Sequence, residues 1–132
     1  MGEDERKMTD KTSIKAKAEG LLDEGRLDEA IAEYRALIEL DVDDPCSHFG
    51  LCDSYNQKGM LDEALYEIDE AIRLRPGWPL YHNKKGKILE GKGDQALALI
   101  EFKAAVAIKP DLEDALKSIR RIERKMKRKS PR

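Results

Sequence analysis

The chain has 132 residues, 40% of them hydrophobic, 39% charged and only 5% aromatic, with a formal net charge of −2. Charged residues run roughly half as many again as in an average globular domain, which points to long exposed helices and away from a wide β-sandwich. No run of about 18 apolar residues occurs, and the opening MGEDERKMTDKTS has no apolar stretch behind a basic start, so the reading is of no membrane span, no secretory leader and a cytoplasmic setting.

Residues 1–10 are almost wholly polar and read as a disordered tail; Arg6 stands where an acylation motif at Gly2 would want Ser or Thr. From residue 11 the chain repeats itself without gaps. Gly25, Gly59 and Gly93 recur at one fixed interval, as do Ala30, Ala64 and Ala98, then Leu40, Leu74 and Ile108, then Pro76 and Pro110. GRLDEAIAEYRALIEL returns as GMLDEALYEIDEAIRL and as GDQALALIEFKAAVAI, each with apolar residues at helical spacing, and a second helical stretch precedes each Gly. Each unit therefore reads as a helical hairpin of two helices of roughly 14 residues, at 11–44, 45–78 and 79–112.

The punctuation agrees. Gly can take positive φ past a helix end, and Asp28-Glu29 and Asp62-Glu63 put negative charge where the next helix begins, a role Asp94 takes in the third unit. Pro76 and Pro110 stop the second helix, and Asp44-Pro45 restarts the chain as a cap and first-turn pair. Ala18, Cys52 and Gly86 are small residues in register that let the two helices of a hairpin approach closely. After the third unit, Asp111 is expected to cap a last helix in 113–132, with Leu112, Ala115, Leu116, Ile119, Ile122 and Met126 as its apolar stripe.

Chemistry is harder to find. Cys46 and Cys52 are six residues apart, too far to bridge if both lie on one helix, and with His48 and His82 they lack metal-ligand spacing. The serines have no nucleophile-elbow context and the glycines are turn markers, so no catalytic residue, metal or cofactor is assigned. The charge is segregated: Lys117 to the end carries +8, leaving −10 on residues 1–116.

These residues resemble the tetratricopeptide repeat, a helix-turn-helix unit whose length matches the interval found here. The resemblance rests on the small residues above, the large ones three on (Leu21, Tyr55, Leu89), the Gly before the turn, the Ala and large residues of the second helix (Tyr34, Ile68, Phe102) and the closing Pro. Val42 departs from that Pro, and His48 and His82 stand where Trp or Leu is common, a departure expected to weaken packing. The resemblance implies an all-α fold, an α-α superhelix in the form of a right-handed solenoid with seven helices, the last one solvating the end of the stack. It also implies a non-enzymatic adaptor whose first helices line a concave groove for a peptide or protein segment.

The groove residues expected on that footing are Lys15, with Glu19 and Leu22; Phe49, Asp53 and Asn56; Asn83, Lys84 and Lys87; and Lys117 and Arg121. An acidic or carboxylate-bearing segment would dock against Lys84, Lys87, Lys117 and Arg121, with Phe49 as apolar anchor. Some relatives clamp the terminal carboxylates of heat-shock chaperones with Lys, Asn, Asn, Lys and Lys or Arg; here those positions hold Lys15, Glu19, Gly50, Leu80 and Lys84, and Glu19 would repel a carboxylate. Trp78 is expected to staple the entry to the third unit, with Tyr81 and His82 facing the preceding one. The alternative function is nucleic-acid or anionic-surface binding by the basic tail, with weak self-association a further use of it. Nucleic acid is disfavoured, since no aromatic residue interleaves the tail and the body is acidic.

Overall fold

The computed structural model describes residues 3–129, with side-chain surroundings from residue 10 to 128. Among these residues there are seven helices: α1 Glu3–Asp23, α2 Leu27–Leu40, α3 Pro45–Gln57, α4 Leu61–Leu74, α5 Pro79–Gly91, α6 Gln95–Ile108 and α7 Glu113–Lys129. They fall into two compact units, one ending at Arg75 and holding α1–α4, the other beginning at Pro76 and holding α5–α7. Each is described by itself.

Every hairpin turn is made in the same way. Gly25, Gly59 and Gly93 have φ of 77°, 80° and 88°, the left-handed conformation that a side chain would strain. In each turn two amides reach back to the helix they leave: Arg26 N donates to the Leu21 carbonyl and Gly25 N to that of Leu22, repeated at Met60/Tyr55 and Gly59/Asn56, and at Asp94/Leu89 and Gly93/Glu90, all at 2.9–3.0 Å. This paired closure answers carbonyls a helix end would leave orphaned. Side-chain caps follow the sequence at Asp44, which accepts from Cys46 N at 3.0 Å, and at Asp94, which accepts from Leu97 N at 3.2 Å.

In the first unit Ala18, Ala30, Cys52 and Ala64 are fully buried where helices meet, with Leu37 and Ile68 behind them. Tyr34 crosses from α2 onto α3, where a side chain at Gly50 would overlap its ring. In the second unit Phe102 of α6, at the register of Tyr34, packs on Gly86 of its own hairpin partner α5, where an added Cβ would come within 2.7 Å of the ring. The last helix buries Ala115, Ser118 and Ile122 against its unit. Met126 closes the expected stripe in the sequence but lies exposed.

Three expectations change. α1 begins at Glu3, so a helix runs through most of the stretch read as a disordered tail. Asp111 does not cap α7, because the repeat register starts first helices at Pro45, Pro79 and Glu113 and so places Leu112 at the cap position. His48 and His82 do not loosen the packing. His48 Nδ1 meets Glu67 Oε2 at 2.8 Å and its Nε2 the Val42 carbonyl at 2.9 Å; His82 makes the same pair with Glu101 and the Pro76 carbonyl, both at 3.0 Å. Each imidazole ties a first helix to its own second helix and to the residue that closes the previous repeat, a hydrogen-bonded brace in place of an apolar plug.

Candidate protein-binding surface

The first helices expose the side chains that the hairpin packing does not use. In the first unit α1 presents Lys15 and Glu19, both exposed, and Leu22, half-buried; α3 presents Phe49, Asp53 and Asn56, all half-buried. Beneath them stands Tyr34, fixed by burial over Gly50. Burial first, then the charges of Glu19, Asp53 and Asp23, push its phenol up to about 12. The negative charge of these carboxylates bears on the hydroxyl, and the face favours cations rather than anions. The sequence reading treats Tyr34 as core alone and leaves Asp23 aside. The signal was available, since Glu19 and Asp23 are one helical turn apart on one face.

The second unit brings α5 and α7 together through their charged groups. Asn83 Nδ2 donates to Asp114 Oδ2 at 2.9 Å, and Lys87 pairs with the same carboxylate. Those hydrogen bonds, Lys87 first and Asn83 second, hold the Asp114 carboxyl below its ordinary range, with Lys117 adding Coulombic attraction. Arg121 grips Glu90 with Nε at 3.2 Å and Nη2 at 2.7 Å, which raises the already high guanidinium value further. Lys84 is half-buried and Lys117 exposed.

This revises the expected basic site. Two of its four cations, Lys87 and Arg121, already hold carboxylates of their own unit, so an incoming acid must compete with Asp114 and Glu90. Asn83 is only 6% exposed and acts under the surface, orienting Asp114, while its Oδ1 has no hydrogen-bond partner among the described residues. Asp114 is the residue the sequence reading missed. It lies at the start of a helix expected to be basic, and nothing local marks it as the group on which α5 and α7 meet.

Trp78 stands at the N-terminal cap of α5, exposed, its ring 6.4 Å from that of Tyr81 and tilted by 57°. His82 turns to Glu101 of its own hairpin as well as to Pro76. Cys46 and Cys52 are both free thiols, half-buried and buried respectively. Among the described residues no cluster of three or more His, Cys, Asp or Glu side chains is placed to hold a metal ion, and no helix is long and apolar enough to cross a membrane.

Comparison with known proteins gives this geometry a context. A family model described as tetratricopeptide repeat matches residues 21–88, and a second model of the same description matches 80–112. The tetratricopeptide repeat and J domain-containing co-chaperone DNJ1 of Cryptococcus neoformans is 34% identical over 96 residues, which is 73% of this chain but 18% of that protein, so the chain spans less than a fifth of this relative's length. Among solved structures, the second TPR domain of human RPAP3, in complex with an HSP70 peptide, aligns with a TM-score of 0.82 at 20% identity over 89% of this chain and 98% of that one. The Yersinia enterocolitica chaperone SycD, in complex with a peptide of the translocator YopD, aligns at 0.81 with 20% identity over 87% and 93%. The Arabidopsis OM64 TPR domain aligns at 0.84 with 14% identity over 89% and 98%. At these identities the structures establish the shared fold, an all-α array of helix-turn-helix repeats.

Proposed function

The chain belongs to the tetratricopeptide repeat family, and from that premise we propose that it is a non-enzymatic adaptor holding a segment of another protein against its first helices. The observation that carries the reading is the pair of charged faces there: Glu19, Asp23 and Asp53, whose charge bears on Tyr34, in one unit, and Lys84, Lys87, Lys117 and Arg121 with the Asp114 and Glu90 pairs in the other. The side chains beneath these faces, Tyr34 among them, are buried. The two peptide complexes among the structural neighbours, of human RPAP3 with an HSP70 peptide and of SycD with a YopD peptide, support a peptide ligand.

The chemistry of the faces shapes the ligand. The face about Tyr34 suits a Lys or Arg of a ligand, with an apolar side chain for Phe49, and the face holding Lys84 and Lys117 suits an Asp or Glu. A bare C-terminal carboxylate lying against Lys15 is disfavoured, because Glu19 stands one helical turn from it on α1. Lys15, Phe49, Asp53, Asn56, Lys84, Lys87, Lys117 and Arg121 make the contacts in this proposal, and Asn83 supports them through Asp114. A cytoplasmic setting belongs to the proposal too, since the free thiols Cys46 and Cys52 suit a reducing compartment.

The test is capture from a lysate with nuclease added, using the intact chain, a chain ending at Met126, and the double variant Phe49→Ala with Lys84→Glu. A protein retained by the first two and lost from the third, with helicity unchanged by circular dichroism, is the expected result. Retention that vanishes with nuclease or with the tail removed would put function in the basic tail instead.

A further inference from the structure

The repeat register allows α7 to be compared with α3, which occupies the same place two repeats earlier. In the first unit Ile31, Cys52 and Tyr55 are buried and α4 packs on α3, while Arg35 stays exposed and donates to the Tyr55 hydroxyl at the edge of a smaller open cleft of about 400 Å³. Two repeat lengths further on, Ile31, Cys52, Tyr55 and Arg35 become Leu99, Arg120, Glu123 and Lys103. There they line an open cleft of about 620 Å³ between α6 and α7, completed by Arg124, Met126 and Lys127. No helix among the described residues covers it.

The face of α6 beside this cleft is more apolar than its counterparts. α2 exposes Asp28, Glu29, Arg35 and Glu39 on its outer side, with Leu40 39% exposed, and α4 exposes Asp62, Glu63, Asp69 and Arg73 around Tyr66, which is 64% exposed. At the same register α6 has Ala96, Leu97, Lys103 and Ala107, and its Ile100 is 60% exposed, Leu97 48% and Ile108 43%. The spacing of Leu97, Ile100, Ala104 and Ile108 makes a stripe along three turns of helix, and Ala104 and Ala107 let another backbone come close. Isolated exposed apolar residues need no explanation; a continuous stripe beside a cleft does.

We infer that this cleft and the adjoining face of α6 form a second docking surface, for an amphipathic helix of a partner protein that carries an apolar seam flanked by Asp or Glu. Charge decides the flanks. The rim holds Lys103, Arg120, Arg124 and Lys127 against one acid, Glu123, which lies 3.7 Å from Lys103. Arg120 lies 3.9 Å from Glu113, and among the described residues Arg124 and Lys127 pair with no carboxylate. Where the second helix of a further repeat would bring an alanine onto a small residue, as Ala64 does in the repeat of Cys52, it would meet Arg120. The surface therefore rejects one more repeat of the same kind and fits a helix whose flanks answer cations. The concave cleft, with Leu99 and Met126 in its lining, suits a helix better than a flat anionic membrane.

This surface is separate from the first-helix faces, and its test separates the two. The 132-residue chain is titrated, by fluorescence anisotropy, into a labelled helical peptide of about four turns with a leucine seam and glutamate flanks, and into the same peptide with lysine flanks. The glutamate peptide is expected to bind at least about tenfold more tightly than the lysine peptide, and Arg124→Glu with Lys127→Glu to reverse that order. Ile100→Asp, at an exposed site that folding does not use, should weaken the glutamate peptide by about tenfold or more. The groove variant Phe49→Ala with Lys84→Glu should leave its binding unchanged. Equal binding of both peptides, no binding of either, or loss in the groove variant would overturn the inference. So would sedimentation of the chain as a dimer that Ile100→Asp dissociates, or retention on phosphatidylserine vesicles that the glutamate peptide does not displace.

Discussion

α3 and α7 hold the same place in the repeat register, two repeats apart, and they meet opposite fates. α3 is buried nearly all round, through Ser47, His48, Gly50, Leu51, Cys52, Ser54 and Tyr55, whereas α7 buries one stripe, Ala115, Ser118 and Ile122. Both are α-helices, α3 begun by the Asp44 cap and Pro45 and α7 with Leu112 at the cap position. What differs is that two positions facing a hairpin partner in α3, Cys52 and Tyr55, are Arg120 and Glu123 in α7. These changes keep a second helix like α4 off that face of α7, because burying Arg or Glu against another helix without a partner costs more than the packing returns.

The comparison can be broken most sharply by exchanging those residues. Cys52→Arg puts a cation at a position with no exposure, against α4, and should cost at least about 4 kcal/mol in urea unfolding or prevent folding. The reverse change, Arg120→Cys, should stay within about 0.5 kcal/mol of the native chain. Similar values for the two would mean that the faces of α3 and α7 are equivalent after all.

Glycine gives a second, smaller contrast. Gly86→Ala drives a methyl into the ring of the fully buried Phe102 and should destabilise by about 1–3 kcal/mol, although the register-equivalent residue of the first unit is itself an alanine, Ala18. Gly20, in α1, has nothing within 4 Å of an added Cβ, so Gly20→Ala should stabilise by about 0.5–1 kcal/mol. Thermal melts of both variants, moving in opposite directions, check the pair.

The smallest effect expected is electrostatic. The folded-state value of Asp114 lies below its unfolded one, so its ion pair contributes above the ordinary carboxylate range near pH 4 and is lost as pH falls through the depressed value. Asp114 and Lys87 are each about half exposed, which keeps the contribution small. Stability measured from pH 6 down to pH 2 should fall less steeply for Asp114→Asn than for the native chain, and an unchanged acid limb would remove Asp114 from the α5–α7 contact.

How much of this was legible beforehand follows from which residues carry each feature. The hairpins were readable because Gly25, Gly59 and Gly93 answer a local need, a left-handed turn, that recurs without a gap. Proline starts were readable for the same reason. The cap of α7 was misplaced by trusting the capping preference of Asp111 over a register that pointed to Leu112. The two histidines were misjudged because their partners, Glu67 and Glu101, sit nineteen residues on, on another helix. The candidate site was legible as a set of helix faces but not as an electrostatic state. Which cations stay available depends on pairs such as Lys87 with Asp114 and Arg121 with Glu90, far apart in the chain, and no local pattern encodes them.

The central claim is that a protein segment lies on the first-helix faces. A photo-crosslinking residue placed at Lys15, at Lys117 or at Glu63 on the outer side of α4, each an exposed position, tests it most directly in a lysate of the source cell. The account predicts one protein captured from both Lys15 and Lys117 and not from Glu63. Capture from Glu63 alone, or of nucleic acid alone from Lys117, would contradict it.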